Sequence, residues 1–354
     1  MRALAVVPGT AGSAAIADLP EPDPREGAVL VETLSVGVCG TDEEIVAGEY
    51  GSPPAGDDHL VLGHESLGRV LEAPPGAGVR PGDLVVGIVR RPDPVPCYAC
   101  AAGEWDACRN GRYREHGIKE LHGFLRERYR AEPDALVRVA PELGRLGVLL
   151  EPTTIVAKAW QQIDAAGRRS SWHPRRVLVV GAGPIGLLAA LLAVQRSLEV
   201  HVVDRVAGGL KPELVARLGA AYHEGPLAEA CEEPDVVLEC TGLPDLVFEA
   251  IEVTGNGGVT CLTGIGPPSQ RVELDGGRLG RSLVLENRLV LGSVNANRTH
   301  YEAGAAALAA ADLAWLERLV TRRVPLGSFG DALARRDEDV KVVIDLAPLP
   351  EASR

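Results

Sequence analysis

The chain has 354 residues, 36 basic and 49 acidic, with a formal net charge of −13 and a hydrophobic fraction of 46%. That acidic balance, without a basic tract, argues against nucleic acid as the main partner, and the length predicts two domains with sizeable cores. No apolar run approaches the roughly 20 residues needed to span a bilayer.

The opening MRALAVVPGTAG carries one basic residue and only a brief apolar run before Pro8, so no secretory signal is expected and the expected location is the cytoplasm. Seven cysteines, three of them clustered, then point to metal ligation or free thiols rather than to a disulfide framework.

In chain order, Ala3–Val7 and Ala28–Leu34 read as strands, separated by the turn-rich PEPDP at 20–24. Cys39 closes a strand, and Thr41 and Asp42 begin a short helix. A Gly/Pro-rich loop over 48–58 leads to Gly63-His64-Glu65, and residues 67–90 read as strands and turns. The segment 91–110, RPDPVPCYACAAGEWDACRN, is a loop carrying Cys97, Cys100 and Cys108. After a strand at Leu136–Ala140, a helix is predicted from Leu149-Leu150-Glu151-Pro152 towards Ala166. The polar 167–175 is a linker. This first half is mostly β.

From Arg176 strands and helices alternate. Val177–Val180 is a short apolar run rich in β-branched residues, read as a strand covered on both faces. It turns through Gly181-Ala182-Gly183-Pro184-Ile185-Gly186 into an apolar helix. The glycines stand at the G-x-G-x-x-G spacing: Gly181 for the tight turn, Gly183 for approach of a pyrophosphate, Gly186 for close helix–strand packing. The free N–H groups at the helix start face the phosphates, with Pro184 and Ile185 in that first turn also assigned to the cofactor. A second strand, Leu198–Val203, ends in Asp204, where the fingerprint places an acid for the adenosine ribose.

A helix over Pro212–Leu218 and a strand over Asp235–Glu239 follow, the latter running into Cys240-Thr241-Gly242, with Thr241 assigned to the cofactor. A helix over Leu243–Val253, strands over Gly258–Gly264 and Arg288–Val294, one helix over 301–320 and a strand over Val340–Leu346 complete the reading. The alternation predicts an α/β chain with a doubly wound parallel sheet.

Cys39, His64 and Glu65 combine a thiolate, an imidazole and a carboxylate, the donor types of a catalytic zinc. Glu151 adds a second carboxylate where a helix starts. Spacing alone does not assemble these residues.

The combination of Gly37-Val38-Cys39-Gly40-Thr41-Asp42, Gly63-His64-Glu65, the cysteine loop and the dinucleotide fingerprint resembles the zinc-dependent medium-chain alcohol and polyol dehydrogenases over nearly the whole chain. The glucose (aldose) 1-dehydrogenase branch resembles it further, through Val36–Glu44, Leu60–Gly68, Arg90-Arg91-Pro92, Glu115-His116-Gly117-Ile118, Leu150-Glu151-Pro152 and Gly292-Ser293-Val294-Asn295. The resemblance implies a GroES-like β-rich catalytic domain over 1–155 and 300–354, and a Rossmann nucleotide domain over 156–299. It places the active site in the cleft between them.

It further implies a catalytic zinc on Cys39 and His64, with Glu65 and Glu151 binding directly or through water. Thr41 would contact the substrate oxygen and start proton exit. Glu115, Glu151 and Asn295 would receive the sugar, and Asn295 also lies at the cofactor. Family members with a structural zinc use C-x2-C-x2-C-x7-C. Here Cys97, Cys100 and Cys108 match the last three positions, Pro94 occupies the first, and Asp93 beside it is the expected oxygen ligand. His116 and His300 have no matching role and are expected at the surface. Ile155 and Leu285 are apolar where the branch contacts sugar.

The expected reaction is zinc-assisted transfer of a hydride from an aldose C1 hydroxyl to NAD, giving a lactone. Asp204 favours NAD, while Arg205 leaves NADP possible but less favoured. A homo-oligomer, dimer or tetramer, is expected. The alternatives are oxidation of a cyclitol, alditol or other secondary alcohol, a nucleotide-binding protein without turnover, and a zinc-free quinone-reductase relative. Cys39 with His64 and Glu65 speaks against the last two.

Overall fold

The computed structural model describes residues 1–266, 270–334 and 336–347. The chain divides into two compact units, Met1–Glu151 with Ala296–Arg354, and Pro152–Asn295.

The first unit is built on a twisted sheet. Among the described residues its strand order is Leu136–Arg138, Leu84–Gly87, Glu65–Glu72, Val29–Val38, Lys341–Asp345 and Val320–Pro325, with Arg128–Ala131 also paired to Val29–Val38. Val29–Val38 is the axis. Its first half alternates between buried and half-buried residues, and from Thr33 onward every residue is buried. That change follows from its neighbours: Glu65–Glu72 pairs along one edge, and Lys341–Asp345 pairs antiparallel along the other, Val342 opposite Val38 and Asp345 opposite Ser35. The end of the chain therefore completes the sheet that carries Cys39 and Glu65. Leu4, Val36, Leu60, Leu62, Phe124, Leu125, Tyr129 and Ile344 lie in the adjoining core.

The second unit is a parallel sheet in the order Ala221–His223, Glu199–Val203, Arg176–Val180, Val236–Glu239, Val259–Leu262, Leu289–Gly292. Counted along the chain, that order is 3-2-1-4-5-6, the Rossmann arrangement. Val177, Leu178, Val179 and Val180 are buried, as a strand covered on both faces requires. Helix Pro184–Gln195 is buried from Gly186 to Ala193, which its continuous Leu/Ala sequence permits. The fold is thus GroES-like plus Rossmann. Among the described residues no helix is long and apolar enough to cross a membrane.

Several elements differ from the sequence reading. The helix expected over 301–320 is two helices, Arg298–Ala309 and Leu313–Leu319, followed by strand Val320–Pro325. Asp312 restarts the second helix by accepting from the Ala314 N–H at 2.9 Å, a side-chain cap that an Ala-rich periodicity conceals. Strand Ala221–His223 is a short edge strand, and helix Gly276–Leu285, with Gly at 276, 277 and 280, carries weak local propensity; neither was expected.

Candidate metal centre and nucleotide site

Cys39 stands at the junction of strand Val29–Val38 and helix Gly40–Val46, as the helix N-cap. Its backbone N–H donates to Asp42 Oδ2 at 3.1 Å, which fixes the turn. His64 precedes Glu65, the first residue of its strand. Since Gly37 is paired opposite Glu65, the sheet register brings the two segments together. Cys39 Sγ lies 3.1 Å from His64 Nε2, and one ligand atom each from Cys39, His64 and Glu65 falls within 4.8 Å of the others. His64 and Glu65 are buried, Cys39 half-buried.

The surroundings are dense in charge. His64 Nδ1 sits 3.5 Å from Asp42 Oδ1, too long for a strong hydrogen bond; both atoms are buried without a hydrogen-bond partner. Burial works against a charged His64, yet Cys39 and Asp42 outweigh it and hold the imidazole well above its ordinary 6.5. Lys341, from the C-terminal strand, places Nζ 2.7 Å from both Glu65 oxygens and 3.1 Å from the Val38 carbonyl. Burial opposes its charge too, but Glu65 and then Cys39 keep it raised. Nothing in local sequence pointed to Lys341 or Asp42 as parts of this site. Glu151 is buried nearby at the start of helix Leu150–Gly167, but its oxygens are not in the ligand cluster. Burial, reinforced by Glu65 and Asp42 against His64 and Lys341, pushes its carboxyl up to about 7.

A thiolate, an imidazole and a carboxylate converging at these distances suit a zinc ion, whose protein ligands are S, N and O. Two orphaned polar atoms behind them, on His64 and Asp42, are what a metal-ligating histidine with an outer carboxylate partner presents. Cys39, His64 and Glu65 would hold the ion, with Glu151 within electrostatic reach. Thr41 lies in the first turn of the helix that Cys39 caps.

Glu115, on strand Arg114–His116, is buried and accepts from Arg90 Nε at 3.0 Å. Arg90 also donates to the Asp106 carbonyl at 3.1 Å, and its guanidinium lies 3.7 Å from the centre of the Tyr113 ring. Glu115 is therefore held by a stacked, bidentate-capable cation. His116 and His300 are not at the surface, as had been expected: both are buried. His116 Nδ1 donates to the His122 carbonyl at 2.8 Å, and burial, then Arg91, pushes its pKa well below 6.5. His300 Nδ1 accepts from the Asn297 N–H at 3.0 Å, closing a capping box.

In the cysteine loop, Cys97 caps helix Tyr98–Ala101, Cys100 lies within it and Cys108 follows the turn Trp105–Ala107. Their sulfurs lie within 4.8 Å of one another. Backbone N–H groups, first that of Arg109 at 3.3 Å, lower the Cys97 thiol, while burial raises Cys100. Asp93 departs from the expectation. Its carboxylate accepts from the Val95 N–H at 2.8 Å, from Asn110 at 2.8 Å and from Arg112 at 3.1 Å, and it is not in the cluster. These three donors offer more to a carboxylate than local spacing reveals.

In the second unit, Gly181 has φ +97° and a Cβ on Gly186 would stand 1.8 Å from the Gly181 carbonyl oxygen, so both positions exclude side chains. Gly183 is the N-cap of helix Pro184–Gln195 and has no atom within 4 Å of a Cβ position, leaving its backbone approachable. Pro184 and Ile185 follow in the first turn. Asp204 Oδ2 accepts from the Ala182 N–H at 2.7 Å and Oδ1 from the Val206 N–H at 3.2 Å, with Lys211 Nζ at 3.4 Å. The acid thus abuts the glycine loop. Arg205 is exposed. Thr241 lies against Gly181, its Cγ2 2.8 Å from a Cβ built there. Asn295 has φ +62°, a left-handed conformation that asparagine tolerates.

A GroES-like unit with a zinc-type ligand set and, in the same chain, a Rossmann unit with a dinucleotide loop define an oxidoreductase of the zinc-dependent alcohol dehydrogenase type. Comparison with known proteins agrees. Residues 25–141 match the alcohol dehydrogenase GroES-like domain and 144–346 the glucose dehydrogenase C-terminus.

The chain is 41% identical to a glucose 1-dehydrogenase of Methanocella arvoryzae, over 98% of this chain and 99% of that protein. It is 40% identical to one of Thermoproteus tenax, over 98% and 99%. A glucose dehydrogenase of Haloferax mediterranei, solved in complex with NADP, Zn and gluconolactone, superposes with a TM-score of 0.90 at 33% identity, covering 99% of this chain and 100% of that one. The chain belongs to the zinc-dependent medium-chain dehydrogenase/reductase family, on its glucose dehydrogenase branch.

Proposed function

We propose that this chain oxidises the C1 hydroxyl of an aldose to the lactone, passing the hydride to a nicotinamide dinucleotide, with NAD preferred to NADP. The observation that carries the reading is the convergence of Cys39, His64 and Glu65 in a chain that also carries the dinucleotide loop. The Haloferax relative, similar over the full length, binds zinc, NADP and gluconolactone.

In this reading a bound zinc would supply Lewis acidity at the substrate oxygen, and a bound nicotinamide dinucleotide would supply the hydride acceptor. Cys39 and His64 hold the ion. Glu65 holds it or stays with Lys341, and Glu151, kept near neutrality by burial, takes or returns a proton. The Thr41 hydroxyl relays the proton from the sugar. Glu115 fixed by Arg90, together with Asn295 and Glu151, accepts or donates to the sugar hydroxyls, since a buried hydroxyl without a partner is costly. Asp204 reads the ribose of NAD, and its carboxylate next to the Ala182 N–H disfavours a 2′-phosphate there, while Arg205 and Lys211 are nearby cations that partly offset this for NADP. Cys97, Cys100 and Cys108 hold a second, structural zinc.

Val284 and Val294 flank edge strand Leu289–Gly292 at 76% and 51% exposure, which supports a homo-oligomer covering that edge. A second reading, oxidation of an alditol, cyclitol or other secondary alcohol, is favoured by the apolar character of Ile155 and Leu285, which the resemblance implies stand at sugar-contact positions of the branch. The test is a screen of aldoses, alditols and cyclitols with NAD and NADP, with and without chelator, and identification of the product. An aldose lactone formed only with metal supports the reading; turnover confined to secondary alcohols favours the second.

A further inference from the structure

Strand Val236–Glu239 is apolar until its last residue. Glu239 is wholly buried, at 0% exposure, in a position where Val236, Val237 and Leu238 would suggest another aliphatic side chain. Among the described residues its carboxylate is paired with no cation. Instead Oε1 accepts from the Thr241 N–H at 2.6 Å, the Thr241 hydroxyl at 2.5 Å and the Gly242 N–H at 3.1 Å, and Oε2 lies 3.1 Å from the same Gly242 nitrogen.

The backbone carbonyl of Glu239 accepts in turn from the Thr263 N–H at 2.8 Å, the Thr263 hydroxyl at 2.9 Å and the Gly264 N–H at 3.1 Å. One residue therefore ties down the turns that leave two adjacent parallel strands.

Those turns are packed backbone on backbone. A Cβ on Gly264 would lie 2.1 Å from the Gly242 nitrogen, and one on Gly266 1.9 Å from the Gly242 oxygen. Apart from the Thr241 and Thr263 hydroxyls, both of which donate to Glu239, the buried carboxylate is the polar group that gathers the N–H groups of the first turn. An apolar residue at 239 would leave the Thr241 and Gly242 N–H groups inside without partners.

Location gives this a function. In the 3-2-1-4-5-6 order, Val236–Glu239 is strand 4, paired to strand 1 with Glu239 opposite Val180, beside the glycine loop. The boundary between strands 1 and 4 is the switch point across which a dinucleotide lies, one mononucleotide on each half. Asp204 belongs to the adenosine half, just beyond the end of strand 2. The turn after strand 4 belongs to the other.

We infer that Glu239 is a positioning residue for the nicotinamide half of the cofactor, acting through the Thr241–Gly242 turn. The inference rests on the dinucleotide reading given under Proposed function.

The test is equilibrium binding of NADH and of ADP, which lacks the nicotinamide half, to the full-length wild type and to Glu239→Gln. The amide keeps the size but cannot accept at both ends. NADH affinity should fall about tenfold, the scale of one lost hydrogen bond to a charged group, while ADP affinity moves by less than about twofold. Glu239→Asp, which keeps the carboxylate on a shorter arm, should recover part of the loss. If Glu239→Gln does not fold, Thr241→Val removes one donor to the same carboxylate and should show the same split, with Thr241→Ser restoring binding.

Equal losses for NADH and ADP, no loss for either, or Thr241→Ser as impaired as Thr241→Val would each overturn the inference. A wild type that binds neither ligand would instead remove the cofactor reading, and this inference with it.

Discussion

Lys341→Met isolates the charge balance of the metal centre. Lys341 and Glu65 are buried to 3% and 4% side-chain exposure and meet at 2.7 Å, so solvent screens the pair little. Removing the cation leaves Glu65 buried against Cys39 and His64 with no nearby ammonium, which costs about 3–5 kcal/mol when one partner of a buried pair is lost. In a unit of this size that corresponds to a fall of roughly 6–20 °C in melting temperature. The measurement is calorimetric melting of chelator-treated and zinc-loaded protein.

The loss should be largest without metal and smaller with zinc, because the ion supplies Glu65 with a replacement positive charge and binds only the folded site. The double variant Lys341→Met/Glu65→Gln should regain most of the single variant's loss, since both charges are then gone. A Lys341→Met protein that melts like wild type without metal, or a double variant no better than the single, would show that this pair does not govern the site's stability.

Other consequences can be checked separately. Wild type should favour NAD over NADP by at least about tenfold in kcat/KM, about 1.4 kcal/mol, and Asp204→Ala should narrow the ratio; an unchanged ratio would mean the carboxylate does not read the ribose. In the cysteine loop, Cys100→Ser should remove one zinc per chain and lower the melting temperature more than activity, whereas Asp93→Asn should leave metal content unchanged because its carboxylate already serves Val95, Asn110 and Arg112. Metal lost equally in both would place Asp93 among the ligands.

Arg322 meets Asp339 at 2.8 and 2.6 Å, and that hydrogen bonding, against burial, holds the Asp339 carboxyl below its ordinary 3.8. A depressed acid stabilises the fold above its unfolded pKa and loses that contribution as pH falls through the folded value. Arg322→Met should therefore melt lower at pH 7, with the gap to wild type closing below about pH 4; a constant gap would assign the loss to packing.

Much of the architecture was legible locally. The valine-rich run at 177–180, the glycine spacing and the acid at 204 lie within one supersecondary unit, and the structure keeps all three together. The metal centre was legible only by resemblance, because Cys39 and His64 are joined by sheet register rather than by spacing. Lys341 stood outside any local signal: it is 276 residues from Glu65, and lysine is normally exposed. His116 and His300 were misplaced for a related reason. Each is satisfied by a backbone group, His122 and Asn297 respectively, and a short polar pattern does not disclose a buried partner. The break at Asp312 and the strand after it were hidden by alanine, whose helix propensity is strong enough to mask a cap.

The measurement that bears most directly on the account is aldose-dependent reduction of nicotinamide cofactor by wild type and by Cys39→Ala, with NADH binding measured on both. Wild type should form lactone and reduced cofactor in equal amounts. Cys39→Ala should lose at least about a hundredfold in kcat/KM, some 2.7 kcal/mol, while NADH binding stays within about twofold, since the dinucleotide loop belongs to the other unit. A Cys39→Ala protein that keeps more than about a hundredth of wild-type turnover would contradict a metal-centred sugar dehydrogenase.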